Sequence, residues 1–381
     1  MHICVISPDY PTTKTIDFVF VDQLCRALAA RGETVTVIAP QTLTKCVVRH
    51  VPIAKKRTTI SFMGGGCLTI LRPKYFSVGT FGGILQRMTK DGYKNAVARA
   101  FKSMKKQPDV MYGHFWQSVK AAYPIAKAYG IPLFASSGEE RVFQERIAYS
   151  DAEIKEIGSY IKGSIHVSTS NRNQCLETGF KIADKSVVIP NSIDSNTFYP
   201  RDKRISREKL GVKDTDFLVA FVGQWNDRKG TVRLNEALKQ INDTNIKAFF
   251  LGKGPEVPNY QGIVHKGTVV HDLLPEYLSA ADVFVLPTLN EGCCNAIIEA
   301  MACGLPIISS NLPFNWDVLD DSNSIMIDPN DIQQIKEAII KLRDDVELRV
   351  DLSSDALRKA GSLTLEHRAE KIVSFIKTRL A

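Results

Sequence analysis

With 381 residues, 44% hydrophobic and 24% charged, the chain is long enough for two domains and has the composition expected of a globular protein, and no apolar run approaches a membrane-spanning length, so no transmembrane helix is expected. Its eight cysteines form no CxxC pair, so neither zinc spacing nor a disulfide framework is visible and a reducing cytoplasm is the expected compartment. The net charge of +8 is uneven, because residues 1–190 hold 26 Lys and Arg against 14 Asp and Glu, and residues 44–106 hold 14 basic residues against the single acid Asp91.

Met1–Ser7 is a short apolar run without the basic start or cleavage site of a signal peptide, and it reads as a first buried strand. Further strands are predicted at Val35–Ala39, Leu68–Leu71, Val110–Tyr112, Pro132–Ala135, Ile165–Ser168 and Val187–Ile189. A second series follows at Leu218–Val222, Ala248–Leu251, Val283–Leu286, Pro306–Ser309 and Ser324–Ile327. Helical patterns separate them, and that alternation implies parallel sheets covered on both faces. The break lies near Ile189-Pro-Asn-Ser-Ile-Asp194. The expected fold is α/β: two Rossmann-like domains, residues 1–192 and 193–364, facing across a cleft, with a last helix over 365–381. Ligands of such sheets bind beyond the carboxyl ends of the strands. The informative loops are therefore those after Ser7, Tyr112, Ala135, Gly223, Leu251 and Leu286.

In the first half, the loop Pro8–Asp17 carries Lys14. Gly82–Gln107 reads as a helix with apolar Ile84, Leu85, Met88, Val97, Phe101 and Met104 opposite basic Arg87, Lys90, Lys94, Arg99, Lys102, Lys105 and Lys106. A basic amphipathic helix suits an anionic membrane surface, although a core-packed helix with a solvated basic face has the same pattern. Nucleic acid is not expected, since no motif pairs the basic residues with aromatic ones. Pro108-Asp-Val-Met-Tyr-Gly-His-Phe-Trp116 ends a strand and brings His114 into a loop. Ser136-Ser-Gly-Glu-Glu-Arg141 follows another strand, where Glu139 and Glu140 either accept acceptor hydroxyls or charge a helix start.

In the second half, Phe221-Val-Gly-Gln-Trp-Asn-Asp-Arg-Lys-Gly230 puts Arg228 and Lys229 between a strand end at Gly223 and a helix start. A guanidinium fork and an ammonium there can hold a diphosphate; a solvated basic turn would look alike. Gly252 and Gly254 make a second tight turn in Leu251-Gly-Lys-Gly-Pro255, without the remaining features of a dinucleotide fingerprint. Glu291-Gly-Cys-Cys-Asn-Ala-Ile-Ile-Glu299 follows Asp282-Val-Phe-Val-Leu-Pro287 and reads as strand, loop and helix, with the helix starting at Gly292. A helix N-terminus attracts phosphate, whereas carboxylates beside it accept hydrogen bonds from sugar hydroxyls. The combination suits a nucleotide sugar.

These segments, with Ala300-Met-Ala-Cys-Gly-Leu-Pro306 and the linker Val188–Asp194 continuing to Phe198-Tyr-Pro200, stand in the order found in family 4 retaining glycosyltransferases of the GT-B fold, and the chain resembles that family over about residues 185–330. The resemblance implies that Glu299 holds the nucleotide ribose, that Glu291 lies near the donor sugar, and that Lys229 meets the diphosphate. It implies that Gly292, Cys293, Cys294 and Asn295 line the donor site together with Gly223, Gly252 and Gly254. It implies that His114 contacts the donor sugar and that the last helix crosses back to the first domain. Two departures stand out. Gln224 replaces the arginine usual after the strand-ending glycine, with Arg228 as the expected compensation, and the first loop lacks a Gly-Gly pair. Lys14, Glu139 and Glu140 are the expected acceptor contacts.

The resulting expectation is a retaining, metal-independent transferase without a cofactor. It would move a sugar from a UDP- or GDP-sugar to a glycan or lipid-diphosphate-linked acceptor, in surface polysaccharide or lipopolysaccharide synthesis. The expected place is the cytoplasmic side, peripheral on the inner face of the cell membrane. A sugar-nucleotide epimerase of the same fold and a non-catalytic sugar- or membrane-binding protein are the alternatives.

Overall fold

A computed structural model describes residues 1–12, 18–48, 50–78, 83–139, 142–146 and 149–381. It divides into two compact units: one comprises Met1–Val167, Asn171–Ile189 and Arg368–Ala381, the other Ser168–Ser170 and Pro190–His367.

The first unit is built on an eight-stranded sheet in the order Ser186–Val188, Gly163–His166, Leu133–Ser137, Val110–His114, His2–Ile6, Thr34–Ile38, Cys67–Leu71 and Arg57–Ser61. All pairings are parallel except the last, which is an antiparallel edge. Successive strand residues point to opposite faces, and both faces are covered. Cys4 and Ile6 join a core with Trp116, Val119 and Ile125. Ile3 and Val5 join another with Val21, Leu24 and Leu28. Ala369, Ile372, Val373 and Ile376, from the final helix Leu365–Leu380, complete that second core.

The second unit holds a six-stranded parallel sheet in the order Ile263–Gly267, Ile246–Leu251, Phe217–Val222, Val283–Leu286, Ile307–Ser310 and Ser324–Ile327. Every residue of Val283–Leu286 is fully buried, which is why this strand reads as an unbroken apolar run.

The structure departs from the sequence reading at several places. Arg57–Ser61, Ile263–Gly267 and the two-residue pair Gln41–Thr42 with Lys74–Tyr75 are strands that were not anticipated. Arg57–Ser61 and Ile263–Gly267 are edge strands that alternate between half-buried and exposed positions, and neither forms a long apolar run. The helix expected over 82–107 spans Gly83–Lys102, so Lys105 and Lys106 lie beyond it. Val97 and Phe101 are buried in the core, but Leu85 and Met88 face outward at 53% and 54% exposure. Its apolar residues therefore belong to two surfaces, one packed and one open.

Ile372 is fully buried on the sheet of the first unit. Ile372→Ala should destabilise the protein by about 2–5 kcal/mol, read as a lower urea midpoint. A cost under about 0.5 kcal/mol, the size of a neutral surface change, would show that the final helix is not part of this core.

Candidate functional site

In the second unit, two loops at the carboxyl ends of neighbouring strands are laced together. The strand Phe217–Val222 runs through Gly223 into a short turn, Asp227–Lys229, and then the helix Thr231–Ile241. The Asn226 side chain caps that turn by accepting from the Lys229 amide at 3.0 Å. Gly230 has φ +76°, and a Cβ there would stand 2.3 Å from the Pro287 carbonyl oxygen, so only glycine permits the approach. Across this contact the Leu289 amide donates to the Arg228 carbonyl at 2.7 Å, and the Thr288 hydroxyl oxygen lies 3.1 Å from the same oxygen.

The lacing brings both cations onto one carboxylate. Lys229 Nζ lies 2.6 Å and Arg228 Nη1 2.8 Å from Glu291 Oε1. Thr288 Oγ1 donates to the same oxygen at 3.0 Å, and Arg228 also reaches the Asn290 carbonyl at 2.9 Å. The side chains of Lys229 and Glu291 are each only 12% exposed. Burial alone would lower the Lys229 pKa, but Cys294 and Glu291 outweigh it and hold the ammonium above the ordinary lysine value. Burial pushes the Cys294 thiol up as well, so at neutral pH Glu291 is the operative counter-charge.

The helix after this loop spans Asn295–Ala302, not from Gly292 as expected. Its delay has a visible cause. Asn191 Nδ2 donates to the Cys293 carbonyl at 3.0 Å and to Asn295 Oδ1 at 2.8 Å, and Cys294 adopts an extended N-cap conformation. Gly292 and Cys293 thus remain in the loop that carries Glu291 to its cations. The first N–H groups of the helix lack intrahelical partners and form an anion-favouring end. Glu299 lies farther along the helix, apart from the Glu291 cluster in its bonding. Its Oε1 meets His271 Nε2 at 3.2 Å, and His271 packs against Phe198 with ring centroids 5.1 Å apart. The bond to Glu299 raises the His271 pKa against the opposing effect of burial.

The glycines expected at the donor site have a packing reason. A Cβ on Gly252 would stand 1.9 Å from the Gly223 carbonyl oxygen, and one on Gly254 would stand 2.2 Å from that of Trp225. They let two strand ends touch backbone to backbone.

In the first unit, His114 ends the strand Val110–His114 and is buried among Phe20, Phe115 and Tyr112. Burial, reinforced by Arg368, lowers its pKa to about 3, so the imidazole is neutral at physiological pH. Neither ring nitrogen has a hydrogen-bond partner among the described residues. Phe115 beside it has φ +68°, a strained conformation for a residue with a side chain. Glu139, expected as an acceptor contact, has both its oxygens engaged by its own fold. Oε1 accepts from the Trp116 amide at 2.7 Å, and Oε2 accepts from the Ser137 hydroxyl at 2.6 Å and the Gly138 amide at 2.9 Å. It acts here as a loop tie. Lys14 and Glu140 lie outside the described residues.

Sequence reasoning missed His271, Asn191 and Thr288. Asn191 and Thr288 stood inside or beside quoted motifs, but Asn191 meets Cys293 and Asn295 and Thr288 meets Arg228, all distant in the chain; His271 stands between Val269-Val270 and Leu273-Leu274, in a stretch that carried no motif.

Residues 202–359 match the family model of glycosyl transferases group 1. The chain is 26% identical to the Bacillus subtilis protein named as the teichuronic acid biosynthesis glycosyltransferase TuaC, over 93% of this chain and 92% of that one. It is 30% identical to the Escherichia coli UDP-Gal:alpha-D-GlcNAc-diphosphoundecaprenol alpha-1,3-galactosyltransferase, over 55% of this chain and 58% of that one. Among solved structures it is similar to a sucrose-phosphate synthase from Thermosynechococcus elongatus, with a TM-score of 0.77, 20% identity, and coverage of 99% and 98% of the two chains. That likeness shows the GT-B fold, with its two Rossmann-like domains.

The Glu299–His271 pair has a testable sign. A raised His271 pKa contributes stability fully present below the ordinary value of 6.5 and lost as pH rises through the folded-state value. In Glu299→Gln the His271 pKa should fall, followed by the imidazole C2 proton in NMR. An unchanged titration would mean the pair does not form in solution.

Proposed function

We propose, from the match of residues 202–359 to the model of glycosyl transferases group 1, that the chain transfers a sugar from a nucleoside-diphosphate sugar with retention at the anomeric carbon. The observation that carries this reading is the convergence of Arg228 and Lys229 on Glu291 at the ends of parallel strands. Two cations on one carboxylate leave a net positive charge, and a diphosphate is an anion large enough to compete for both. In the reaction the bond between the anomeric carbon and the phosphate oxygen breaks, and its electron pair stays on the phosphate. Lys229 and Arg228 stabilise that new charge, with the first N–H groups of the helix Asn295–Ala302 adding to it. The acceptor hydroxyl attacks on the same face, and its proton passes to the departing phosphate. Glu291, released from its cations, accepts from a donor-sugar hydroxyl. Glu299 accepts from a ribose hydroxyl, with His271 holding its carboxylate in place. Gly292, Cys293, Cys294 and Asn295 face the donor in this reading. Neutral His114 offers a hydrogen bond to the donor sugar without carrying charge.

Uridine is the favoured base and a lipid-diphosphate-linked saccharide the favoured acceptor, because the E. coli relative is named for both. The basic first half of the chain supports a place at an anionic membrane surface on the cytoplasmic side, and no helix among the described residues is long and apolar enough to cross one. The chemistry is proposed to need no metal, with the two cations supplying the charge stabilisation.

Lys229→Met should lower turnover about 100-fold or more and abolish the protection that UDP gives against thermal unfolding. Arg228→Ala should lower turnover about tenfold, as the residue compensating for Gln224; unchanged turnover there would refute the compensation. Turnover that survives Lys229→Met would refute the donor site itself. A chelator should leave the rate unchanged, and loss of activity restored by a divalent cation would contradict the metal-free reaction.

A further inference from the structure

Two helices of the first unit begin in an unusual way. The helices Val19–Ala30 and Trp116–Tyr129 have Phe18 and Phe115 at their N-caps, and neither side chain caps its helix. Serine, threonine, aspartate and asparagine serve that position, and the helix Asp151–Tyr160 of the same unit does start from a capping Ser150 in extended conformation. Phe18 instead has φ +60° and ψ 30°, and Phe115 has φ +68° and ψ 153°. The first is a left-handed conformation that bulky side chains avoid, and the second belongs almost entirely to glycine. Backbone hydrogen bonds hold both residues there: the Phe115 amide donates to the Ser136 carbonyl at 2.7 Å, and the Val21 amide donates to the Phe18 carbonyl at 3.0 Å.

The strain places rings. Successive residues of a strand point to opposite faces, yet the rings of His114 and Phe115 lie together with centroids 4.5 Å apart. Phe18 meets Phe115 edge-on at 5.7 Å and stacks on Phe20 at 5.6 Å, and Phe20 meets His114 at 5.6 Å. Three phenyl rings from two helix starts thus form a collar on one imidazole. Each is only half-buried, whereas Phe134 in the same sheet is fully enclosed. Filling a core needs no such backbone, and strain of this kind collects at functional sites. Inside the collar His114 is 5% exposed, with neither ring nitrogen partnered among the described residues. A buried polar group without a partner points to a ligand that supplies one.

We propose that Phe18, Phe20 and Phe115 form the dry wall of the donor-sugar pocket at His114, keeping water from the anomeric carbon and so limiting the loss of donor to hydrolysis. The inference rests on the transferase reading, in which His114 meets the donor sugar. In the side reaction a water oxygen bonds to the anomeric carbon. The bond from that carbon to the phosphate oxygen breaks, its electron pair stays on the phosphate, and the surplus proton of the water passes to the phosphate. The products are the free sugar and the nucleoside diphosphate. A phenyl wall packs against the C–H groups of a sugar ring but gives an attacking water no hydrogen-bond partner.

The test is the release of UDP from UDP-galactose and from UDP-glucose with no acceptor present. Phe18→Gly removes a ring and relieves its backbone, and Phe20→Ser makes the wall polar; each should hydrolyse at least one of the two donors about tenfold faster than the wild type. Phe20→Leu keeps an apolar side chain and should stay within about twofold of the wild type. The sign separates this role from a structural one, since a collar that merely supported the fold would slow UDP release when damaged. Hydrolysis unchanged or slower in both Phe18→Gly and Phe20→Ser, with either donor, would overturn the proposal. A second readout needs no donor. The His114 imidazole, neutral at pH 5 in the wild type, should be partly protonated at that pH in Phe20→Ser as water reaches the ring, followed by its C2 proton in NMR. An unchanged titration would show that the collar does not keep His114 dry and would also overturn it. Protection by UDP against thermal unfolding should be equal in all four proteins. Failure of UDP to protect the wild type would count against the transferase reading itself, an outcome distinct from a collar that leaves hydrolysis unchanged while UDP still protects.

Discussion

One carboxylate oxygen, Oε1 of Glu291, accepts from Lys229, Arg228 and Thr288 at once. Charges held this far from water are costly unless paired, and removing one partner of such a group leaves the others stranded. Much of the local architecture answers to this constraint. Gly230 allows the Asp227–Lys229 turn to press against Pro287, Asn226 caps the turn, and Asn191 keeps residues 291–294 from joining the helix. An internal carboxylate that holds two cations in place before any ligand arrives reduces the ordering a phosphate ligand must drive, at the expense of a competition it must win.

The first unit poses a different problem. His114 is a polar ring in an aromatic environment, kept neutral by burial and by the nearby Arg368. Arg368 begins the stretch of the final helix that belongs to this unit, and its Nη1 donates to the Ile189 carbonyl. The helix that completes the hydrophobic face of the sheet thus also sets the electrostatic field on His114. Packing and site chemistry meet in one element.

What could be read from the sequence follows from how each feature is encoded. Strands buried on both faces, such as Val283–Leu286, announce themselves as apolar runs, and the sheets were legible for that reason. Edge strands like Arg57–Ser61 have one open face and looked like polar loop. The Glu291 to Glu299 spacing was legible as a motif, but not that Glu291 would bind the very cations read as phosphate ligands. His271, 28 residues before Glu299, carries no periodic signal, since its partner is set by the fold. Glu139 shows the converse. A carboxylate after a strand end has the same sequence whether it meets a ligand or ties its own loop, and only the Trp116, Ser137 and Gly138 donors decide. Leu85 and Met88 fit helical spacing equally well whether packed or open.

The most direct measurement is a crystal structure with a UDP-sugar bound. The account predicts diphosphate oxygens at about 3 Å from Lys229 Nζ and the Arg228 guanidinium, with the Glu291 carboxylate turned to a sugar hydroxyl. A diphosphate seated elsewhere, with the Lys229–Glu291–Arg228 contacts undisturbed, would contradict it.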